Sequence, residues 1–426
     1  YQHINLSTHQ LLQMDNIKKA AILTIGDELM IGQIVDTNSA WIASFLDQHG
    51  WQVTRKLGVR DDIPQIMEGM SLCLEAADVL VMTGGLGPTN DDLTVDALCQ
   101  YFDCKKVWHE ETWDRVKEIL KRLGREPAEM HKLQCYQPDA AEIIPNDQGS
   151  APGTIFRKGN KIVISVPGVP NEMKHLLKDK IIHLLPKGNP VEHRIIRTAG
   201  EGETVIAEMI KDIEASLPTD IKLAYLPHFS QVTLRLTSYN NALKKELDHF
   251  EQQIVERLAK LVYGTGDINL AKAIGGLLRE RKETIGTAES CTGGYVSHLI
   301  TSIPGSSEYY LGSVIPYAYE LKTSLLDIST DMLNTYGAVS EEVVTAMAEG
   351  VRKKLGVTWS IATSGIAGPG GATPQKPVGT IWIACAGPHG TKARLLKLSR
   401  DRMSNIEYTA IASLVLLRKM MLDGRA

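Results

Sequence analysis

The chain has 426 residues, of which 43% are hydrophobic and 23% charged, and its formal net charge is -4 at pH 7. The composition excludes a disordered chain, and the length excludes a single core, because one hydrophobic core rarely serves more than about 250–300 residues. The nearly balanced charge provides no basic surface for a phosphate backbone, so we expect no nucleic-acid partner.

Cysteine usage and apolar segments bear on the cellular compartment. The six cysteines contain no CxxC pair, which argues against a disulfide framework and against a zinc site of thiolates. No run of about 18 apolar residues and no secretory signal pattern is found. We therefore expect a cytoplasmic protein without a membrane partner. Residues 1–17 are interpreted as a tail or an added extension, with Met14 as a candidate true start.

The first region, residues 18–185, alternates apolar strands with helices. AAILTIG, WQVTRKLGV, DVLVMTGG and NKIVISVPGVP predict strands, and the helix TNSAWIASFLDQHG is expected to have Asn38 or Ser39 as its N-cap. Continuously apolar strands that alternate with helices are typical of a parallel sheet covered on both faces. We predict an α/β domain built on such a sheet.

Two further regions follow. Residues 186–264 contain two strands, IKLAYL and QVTLRLTS, and two helices, which predicts a small α+β connector. Because this segment carries no glycine-rich or carboxylate-rich site, we interpret it as a connector or a dimerisation element and expect a homodimer. Residues 265–426 alternate strands and helices again and predict a second α/β domain.

Two turns of the first region form a candidate phosphate site at the carboxyl ends of predicted strands. The glycines would let main-chain N–H groups approach a phosphate. A helix is predicted to begin near Asp91, and the aspartates would cap this helix or bind a cation such as Mg²⁺. A tight turn with capping aspartates is the alternative, although two such turns in one sheet favour the phosphate site. The candidate phosphate ligands are Gly26, Gly84, Gly85 and Gly87, and the candidate metal ligands are Asp27, Glu28, Asp91 and Asp92.

A second candidate site begins where the predicted strand TIGTAES ends at Ser290. A strand-to-helix corner exposes a nucleophile and directs N–H groups at a developing oxyanion. Serine needs a base, and no histidine falls in these motifs, whereas Tyr317 and Lys322 lie five residues apart in PYAYELK. A Ser-Tyr-Lys arrangement, with a lysine of lowered pKa or a tyrosine polarised by it as the base, is therefore the most economical reading.

Alternatives remain open at each of these positions. Ser290 could be an N-cap, Lys322 a solvated surface charge and Tyr317 a half-buried strand aromatic, and the Cys291 thiol could be the nucleophile instead. The glycine-dense loop 364–371 follows another apolar strand and offers main-chain donors. The candidate substrate-binding residues are Thr292, Gly293, Gly294, Ser364, Gly365, Ile366 and Gly368.

The motifs of the first region resemble a known family. TIGDELMIGQIVDTNS, MTGGLGPTNDDLT, NDQGSAPGT and SVPGVPNEMK are similar to the molybdopterin-binding-like domain of the CinA (competence- and damage-inducible) family. In related molybdenum-cofactor proteins, the position of Asp92 lies at the nucleotide-and-metal site. The resemblance implies cleavage of the ADP-ribose pyrophosphate with Mg²⁺, Mn²⁺ or Co²⁺, and K⁺ is a further candidate ion.

The motifs of the last region resemble the same family. TAESCTGG, PYAYELK, TSGIAGPGG and TPQKPVGT are similar to the CinA C-terminal domain and to nicotinamide mononucleotide amidohydrolases. The resemblance implies that Ser290 is the nucleophile, that Tyr317 and Lys322 serve it, and that Ser364 and Gly365 bind substrate without a cofactor. We expect deamidation of nicotinamide mononucleotide to nicotinic acid mononucleotide plus ammonia. The alternative is a non-catalytic nucleotide- or pterin-binding regulatory protein linked to competence or DNA damage.

Overall fold

The computed structural model describes residues 18–122, 124–188 and 191–423. It contains two compact units, one with the described residues up to Glu192 and Tyr239–Asn241, the other with His193–Ser238 and the described residues from Ala242 onward. The expected extension at residues 1–17 lies outside the described residues. Within the described part, no helix combines the length and the apolar character needed to cross a bilayer.

The first unit is built on a mostly parallel sheet of six strands in the order β2-β1-β3-β8-β7-β6. The first four are parallel to one another, whereas β7 pairs antiparallel with β8 and β6 antiparallel with β7. Two further strands, β4 and β5, form a separate ribbon. The strands are β1 (Lys18–Ile25), β2 (Trp51–Val59), β3 (Val79–Thr83), β4 (Lys106–Trp108), β5 (Tyr136–Pro138), β6 (Glu142–Ile144), β7 (Gly153–Lys158) and β8 (Lys161–Val166).

Helices cover both faces of this sheet. Successive residues of β1 point to opposite cores, since Ile22 clusters with Ile42 while Leu23 clusters with Ile66. This explains why the strand is apolar throughout rather than alternating. The helices are α1 (Asp27–Met30), α2 (Thr37–Gln48), α3 (Ile63–Ala76), α4 (Thr94–Phe102), α5 (Glu110–Arg122) and α6 (Pro170–His175), the last continued by a π turn at Leu176–Ile181.

Two expected helix starts are wrong. Helix α2 is capped by Asp36, whose side chain accepts from the Ser39 N–H at 2.9 Å, and not by Asn38 or Ser39. Helix α4 begins at Thr94 rather than near Asp91. The reason is local, because the Asp92 carboxylate accepts main-chain N–H groups from the preceding residues and folds the segment into a turn.

The second unit begins with the small α+β module. Its four-stranded sheet has the order β10-β11-β9-β12, and one face packs on two helices through a core that includes Ile196, Ile206, Leu234 and Ile254. Its role in dimerisation stays a prediction. The elements are β9 (Glu192–Ala199), α7 (Glu203–Ala215), β10 (Ile221–His228), β11 (Gln231–Ser238), α8 (Lys244–Leu258) and β12 (Val262–Thr265).

The rest of this unit is an α/β domain whose five strands have the order β14-β13-β15-β16-β17. The first three strands are parallel, whereas β16 and β17 are antiparallel. The predicted fold class is confirmed, with antiparallel strands added at one edge of each α/β sheet. The elements are α9 (Leu270–Arg281), β13 (Ile285–Glu289), α10 (Tyr295–Thr301), β14 (Tyr310–Val314), α11 (Tyr319–Leu326), α12 (Thr330–Tyr336), α13 (Glu341–Leu355), β15 (Trp359–Gly365), β16 (Thr380–Gly387), β17 (Gly390–Lys397) and α14 (Arg402–Asp423).

Candidate functional sites

Ser290 directly follows the carboxyl end of β13, an interior strand of the five-stranded sheet. Its N–H donates to the Thr363 carbonyl of the neighbouring strand β15 at 3.0 Å. The chain then turns through Gly293 and Gly294, which have φ of 58° and 102°. Side chains with a Cβ rarely adopt these left-handed values, so the two glycines allow the turn between strand and helix. The predicted strand-to-helix corner at Ser290 is present.

Lys322 is buried beside Ser290. Lys322 lies in the first turn of helix α11 and is only 1% exposed. Its Nζ atom donates to the carbonyls of Pro316 at 2.7 Å and Tyr317 at 3.2 Å, and lies 3.4 Å from Ser290 Oγ. The alternative of a solvated surface lysine is therefore wrong. Burial lowers the pKa of this amine, because the charged form loses its hydration, while the nearby Cys291 thiol acts in the opposite direction.

Cys291 differs from its neighbour Ser290 in its surroundings. The thiol packs in an apolar cluster that includes Ile381 and Ile383. Burial raises the pKa of the Cys291 thiol to about 12. A thiol is nucleophilic as the thiolate, so this environment holds Cys291 in its unreactive form near neutral pH.

The Tyr317 side chain lies elsewhere than the sequence predicted. Strand β14 ends at Val314, so Tyr317 is not a strand aromatic, and its residue is 60% exposed. Its hydroxyl accepts from Arg402 Nη2 at 3.4 Å, and among the described residues it makes no hydrogen bond to Ser290. The expected contact between the phenol and the serine hydroxyl is therefore not found among the described residues, and Tyr317 contacts Lys322 through its carbonyl oxygen.

The substrate-binding candidates have mixed environments. The Ser364 hydroxyl is buried and donates to the Ala338 carbonyl at 2.6 Å, so it is engaged by the main chain. Thr292 is likewise buried, and its hydroxyl donates to a carboxylate of strand β13. At Gly365 a Cβ would lie 2.5 Å from Ile381 Cγ1, which explains the glycine by close packing. The Ile366 main chain pairs with Thr380 and Gly379.

Arg402 is a residue of this site that sequence reasoning missed. Its Nη1 atom donates to the Gly368 carbonyl at 2.6 Å, and its Nη2 atom reaches the Tyr317 hydroxyl. The buried Asn405 amide supports the same loop by donating to the Ala367 carbonyl at 3.0 Å. Arg402 therefore joins the glycine-dense loop to the segment before Lys322. Its place after the last strand gave no spacing signal that would have identified it.

The first unit has a cavity of about 560 Å³ at the carboxyl ends of β1, β3 and β8, lined by all the predicted glycines and by three of the four predicted acidic residues. Gly84 and Gly85 have φ of 111° and 62°. A Cβ at Gly84 would lie 2.1 Å from the Ile25 carbonyl oxygen, so the second turn packs closely on the first. The two predicted turns meet at one cavity.

The predicted acidic residues have distinct roles at this cavity. Both oxygens of Asp92 accept hydrogen bonds from its own loop, with Gly87 N at 2.6 Å and Thr89 N at 2.8 Å. The Asp91 carboxylate is exposed, and a hydrogen bond from Thr89 lowers its pKa. Asp27 is exposed and lies 3.4 Å from Arg60. Asp92 is therefore engaged in holding the turn, and its role as a metal ligand stays a prediction.

Three further carboxylates line the cavity and were not predicted: Asp36, which caps helix α2, and Asp61 and Glu172. Asp61 accepts the Asp27 N–H at 2.9 Å, and burial raises its pKa, with the charges of Glu28, Asp27 and Asp91 adding in the same direction. Burial also raises the pKa of Glu172, which accepts from Asn146 Nδ2 at 2.6 Å.

Among the described residues, no three His, Cys, Asp or Glu side chains converge in an arrangement that could hold a metal ion unaided. Mg²⁺ commonly binds proteins through one or two carboxylates and completes its shell with substrate phosphates and water. The residues fit such a shared site and not an all-protein one. Glu28, Asp61, Asp91 and Asp92 line the cavity, whereas Asp27 does not, and the role of Asp27, Glu28, Asp91 and Asp92 as metal ligands stays a prediction.

By its fold the chain is a multidomain α/β protein with polar sites at the carboxyl ends of two sheets. Family models match in three segments: the probable molybdopterin binding domain at residues 21–187, the damage-inducible protein CinA KH domain at 193–264 and the CinA C-terminal domain at 267–421. A CinA-like protein of Cytophaga hutchinsonii is 43% identical over 94% of this chain and 98% of its own length. The chain belongs to the CinA family.

The chain is also similar to other proteins. A CinA-like protein of Flavobacterium psychrophilum is 39% identical over 95% of this chain and 99% of its own length. Among solved structures, a CinA protein of unknown function from Thermoplasma acidophilum is 37% identical, covering 40% of this chain and 99% of that one, with a TM-score of 0.37.

Proposed function

We propose that the C-terminal domain deamidates nicotinamide mononucleotide, with Ser290 as the nucleophile and Lys322 as its base. The observation that carries the proposal is the set of contacts around the Lys322 nitrogen. A neutral amine has two N–H groups and one lone pair, and the carbonyls of Pro316 and Tyr317 accept two N–H groups. The lone pair is then left for the third neighbour, the Ser290 hydroxyl.

The reaction follows from this arrangement. Lys322 takes the Ser290 proton while Oγ attacks the carboxamide carbon. The resulting lysine ammonium then gives this proton to the amide nitrogen, the C–N bond breaks, and ammonia leaves. Water then hydrolyses the acyl ester and releases nicotinic acid mononucleotide. The N–H groups of Cys291 and Thr292 donate to no main-chain carbonyl among the described residues, and we propose them as donors to the oxyanion.

Arg402 supports a phosphorylated substrate. Its guanidinium lies at the glycine-dense loop, bonded to the Gly368 carbonyl, and arginine pairs well with phosphate. The choice of nicotinamide mononucleotide among carboxamides comes from the family resemblance. The test is ammonia release by the full chain from nicotinamide mononucleotide, compared with nicotinamide riboside, which lacks the phosphate. Release from neither compound would contradict the proposal.

For the first unit we infer a second activity, the metal-assisted hydrolysis of ADP-ribose to AMP and ribose 5-phosphate. The supporting observation is a cluster of four carboxylates, formed by Asp61 with Asp27, Glu28 and Asp91. The charges of the other three contribute to the raised pKa of Asp61. A divalent cation, when bound, would neutralise the diphosphate and these carboxylates together. Gly84 and Gly85 would keep the main chain close to the phosphates.

The test of this second activity is cleavage of ADP-ribose by the full chain with Mg²⁺, Mn²⁺ or Co²⁺. If ADP-ribose binds but is not cleaved with Mg²⁺, with Mn²⁺ or with Co²⁺, the proposed hydrolase activity is contradicted and the regulatory alternative is favoured.

A further inference from the structure

Glu289 is a buried carboxylate directly before the proposed nucleophile. The residue is 0% exposed, and no cation pairs with it among the described residues. Its Oε1 atom accepts from Ser297 N at 2.8 Å, Ser297 Oγ at 2.5 Å and Thr287 Oγ1 at 3.2 Å. Its Oε2 atom accepts from Thr292 Oγ1 at 2.8 Å and from Gly294 N and Val296 N, both at 3.0 Å.

A buried carboxylate without a cation is costly unless donors compensate it. Here three main-chain N–H groups and three hydroxyls do so, and all the N–H groups belong to the turn and helix that follow Ser290. The carboxylate therefore joins the end of β13 to the start of α10 from inside the fold. This network explains why a charged residue ends an otherwise uncharged strand.

A second connection ties the same turn to strand β15. The Thr292 hydroxyl, which contacts Glu289, also lies 2.7 Å from the Thr363 hydroxyl, and the Thr363 carbonyl accepts the Ser290 N–H. The Thr363 carbonyl thus fixes the Ser290 main chain, and the Glu289 carboxylate fixes the turn that follows it. The N–H groups of Cys291 and Thr292, which lie between these anchors, take no part in either connection.

We propose that Glu289 is a positioning residue of the amidase site, which fixes the 290–294 turn so that Ser290 Oγ faces Lys322 while the Cys291 and Thr292 N–H groups stay available to an oxyanion. This inference rests on the proposed function. Glu289 itself touches neither Ser290 Oγ nor Lys322 among the described contacts, so it acts through the turn.

The geometry predicts that even glutamine fails at this position. Each carboxylate oxygen accepts from at least one main-chain N–H, which cannot rotate away. An amide NH₂ group would therefore oppose Ser297 N–H in one orientation, or both Gly294 N–H and Val296 N–H in the other. Hydroxyl partners such as Thr287 can turn to accept instead, so the main-chain donors make the site selective for a carboxylate.

The experiment uses the full chain with Glu289→Gln, and it measures kcat and KM for nicotinamide mononucleotide together with acylation of Ser290 by a fluorophosphonate, followed by mass spectrometry. We expect kcat and the acylation rate to fall about 100-fold, the scale of losing oriented oxyanion donors, while KM changes less than about threefold. Rates within about twofold of the wild-type values would overturn the proposal.

The matched control is Ser360→Ala, which removes a buried hydroxyl bonded to the Ala348 carbonyl in the same strand as Thr363. It should lower the melting temperature without changing kcat. If Glu289→Gln does not fold, Thr292→Val decides, because it removes one donor to Glu289 and the connection to Thr363. We expect about a tenfold loss of kcat, of which Thr292→Ser recovers part, and an unchanged kcat would overturn the proposal.

The acylation measurement separates this proposal from the proposed function. If the wild-type chain releases no ammonia but Ser290 is labelled, and Glu289→Gln slows the labelling, the positioning role holds and the substrate assignment fails. If Ser290 is neither labelled nor active in the wild-type chain, both proposals are overturned.

Discussion

The Nζ atom of Lys322 lies 3.4 Å from the Oγ atom of Ser290, although the two residues are 32 positions apart in the chain. The amine reaches this position from the first turns of a helix and is buried together with the carbonyls that accept its N–H groups. Because burial lowers the pKa of Lys322, its neutral form is favoured relative to a lysine in water. The pair therefore meets the requirement of a base within reach of its nucleophile.

Lys322→Met tests the role of the base. Removing the amine leaves Ser290 without a proton acceptor, and we expect ammonia release to fall by about 1,000-fold or more, with the ADP-ribose activity retained. Lys322→Arg is the matched control that keeps a cation without a usable base, and it should be equally inactive. Activity of either variant within about tenfold of the wild-type value would contradict the assignment.

The same lysine predicts how stability depends on pH. Because the pKa of Lys322 is lowered in the folded state, the unfolded chain binds more protons between that value and the ordinary lysine pKa. The folded state should therefore gain stability, relative to Lys322→Met, as pH rises through this window, and the penalty should be complete below it. Denaturant unfolding of the wild type and of Lys322→Met at pH 7 and pH 9.5 measures the difference between their free energies of unfolding. The prediction is contradicted if this difference is the same at both pH values, or if the wild type is less stable relative to the variant at pH 9.5 than at pH 7.

The pH dependence of catalysis should have the same direction. With neutral Lys322 as the base, kcat/KM for ammonia release should increase with pH through an apparent pKa below 10.5, the ordinary value for lysine. Tyr317→Phe is the informative control, because it removes the phenol and keeps the carbonyl that accepts from Lys322. An altered profile in Tyr317→Phe would show instead that the phenol takes part in the proton transfer.

Arg402 should affect binding more than chemistry. We expect Arg402→Ala to raise KM for nicotinamide mononucleotide about 10–100-fold, with kcat changed less than about fivefold, because the guanidinium bonds to the loop and makes no hydrogen bond to Ser290 or Lys322 among the described residues. The effect should disappear for nicotinamide riboside. An equal effect on both compounds would mean that Arg402 supports the loop and does not contact the phosphate.

The first unit should lose its activity independently. Asp61→Asn removes a charge from the carboxylate group, so we expect ADP-ribose cleavage to fall about tenfold or more while ammonia release is unchanged. A chelator should have the same selective effect on the wild-type chain. Loss of both activities on chelation would contradict a metal confined to the first site.

The strands and helices that carry the sites were accessible from the sequence, whereas several of the side chains that complete them were not. Continuous apolar runs such as DVLVMTGG indicated buried parallel strands, and the glycine-rich turns marked their carboxyl ends. The antiparallel strands β6 and β7, with sequences EII and GTIFRK, lack such a long apolar run. The start of α4 was predicted too early because the Asp92 carboxylate folds a turn before the helix, which propensity alone does not reveal.

Sequence reasoning missed Arg402 and Asp61 for the same physical reason. Arg402 and Asp61 come from segments far from the recognised motifs, so only the folded chain brings them to the sites. The sequence does contain one signal for Glu289, because an acidic residue ends an otherwise uncharged strand directly before a candidate nucleophile. Tyr317 shows the converse, because motif spacing gave its position near Lys322 but not the direction of its ring.

The central claim is that the hydroxyl at position 290, and not the neighbouring thiol, attacks a carboxamide. The most direct measurement is ammonia release from nicotinamide mononucleotide by the full chain and by its Ser290→Ala and Cys291→Ala variants. We predict that Ser290→Ala releases none above background, that Cys291→Ala stays within about threefold of the wild-type rate, and that both still cleave ADP-ribose. Ammonia release that survives in Ser290→Ala, or that is lost only in Cys291→Ala, would contradict the account.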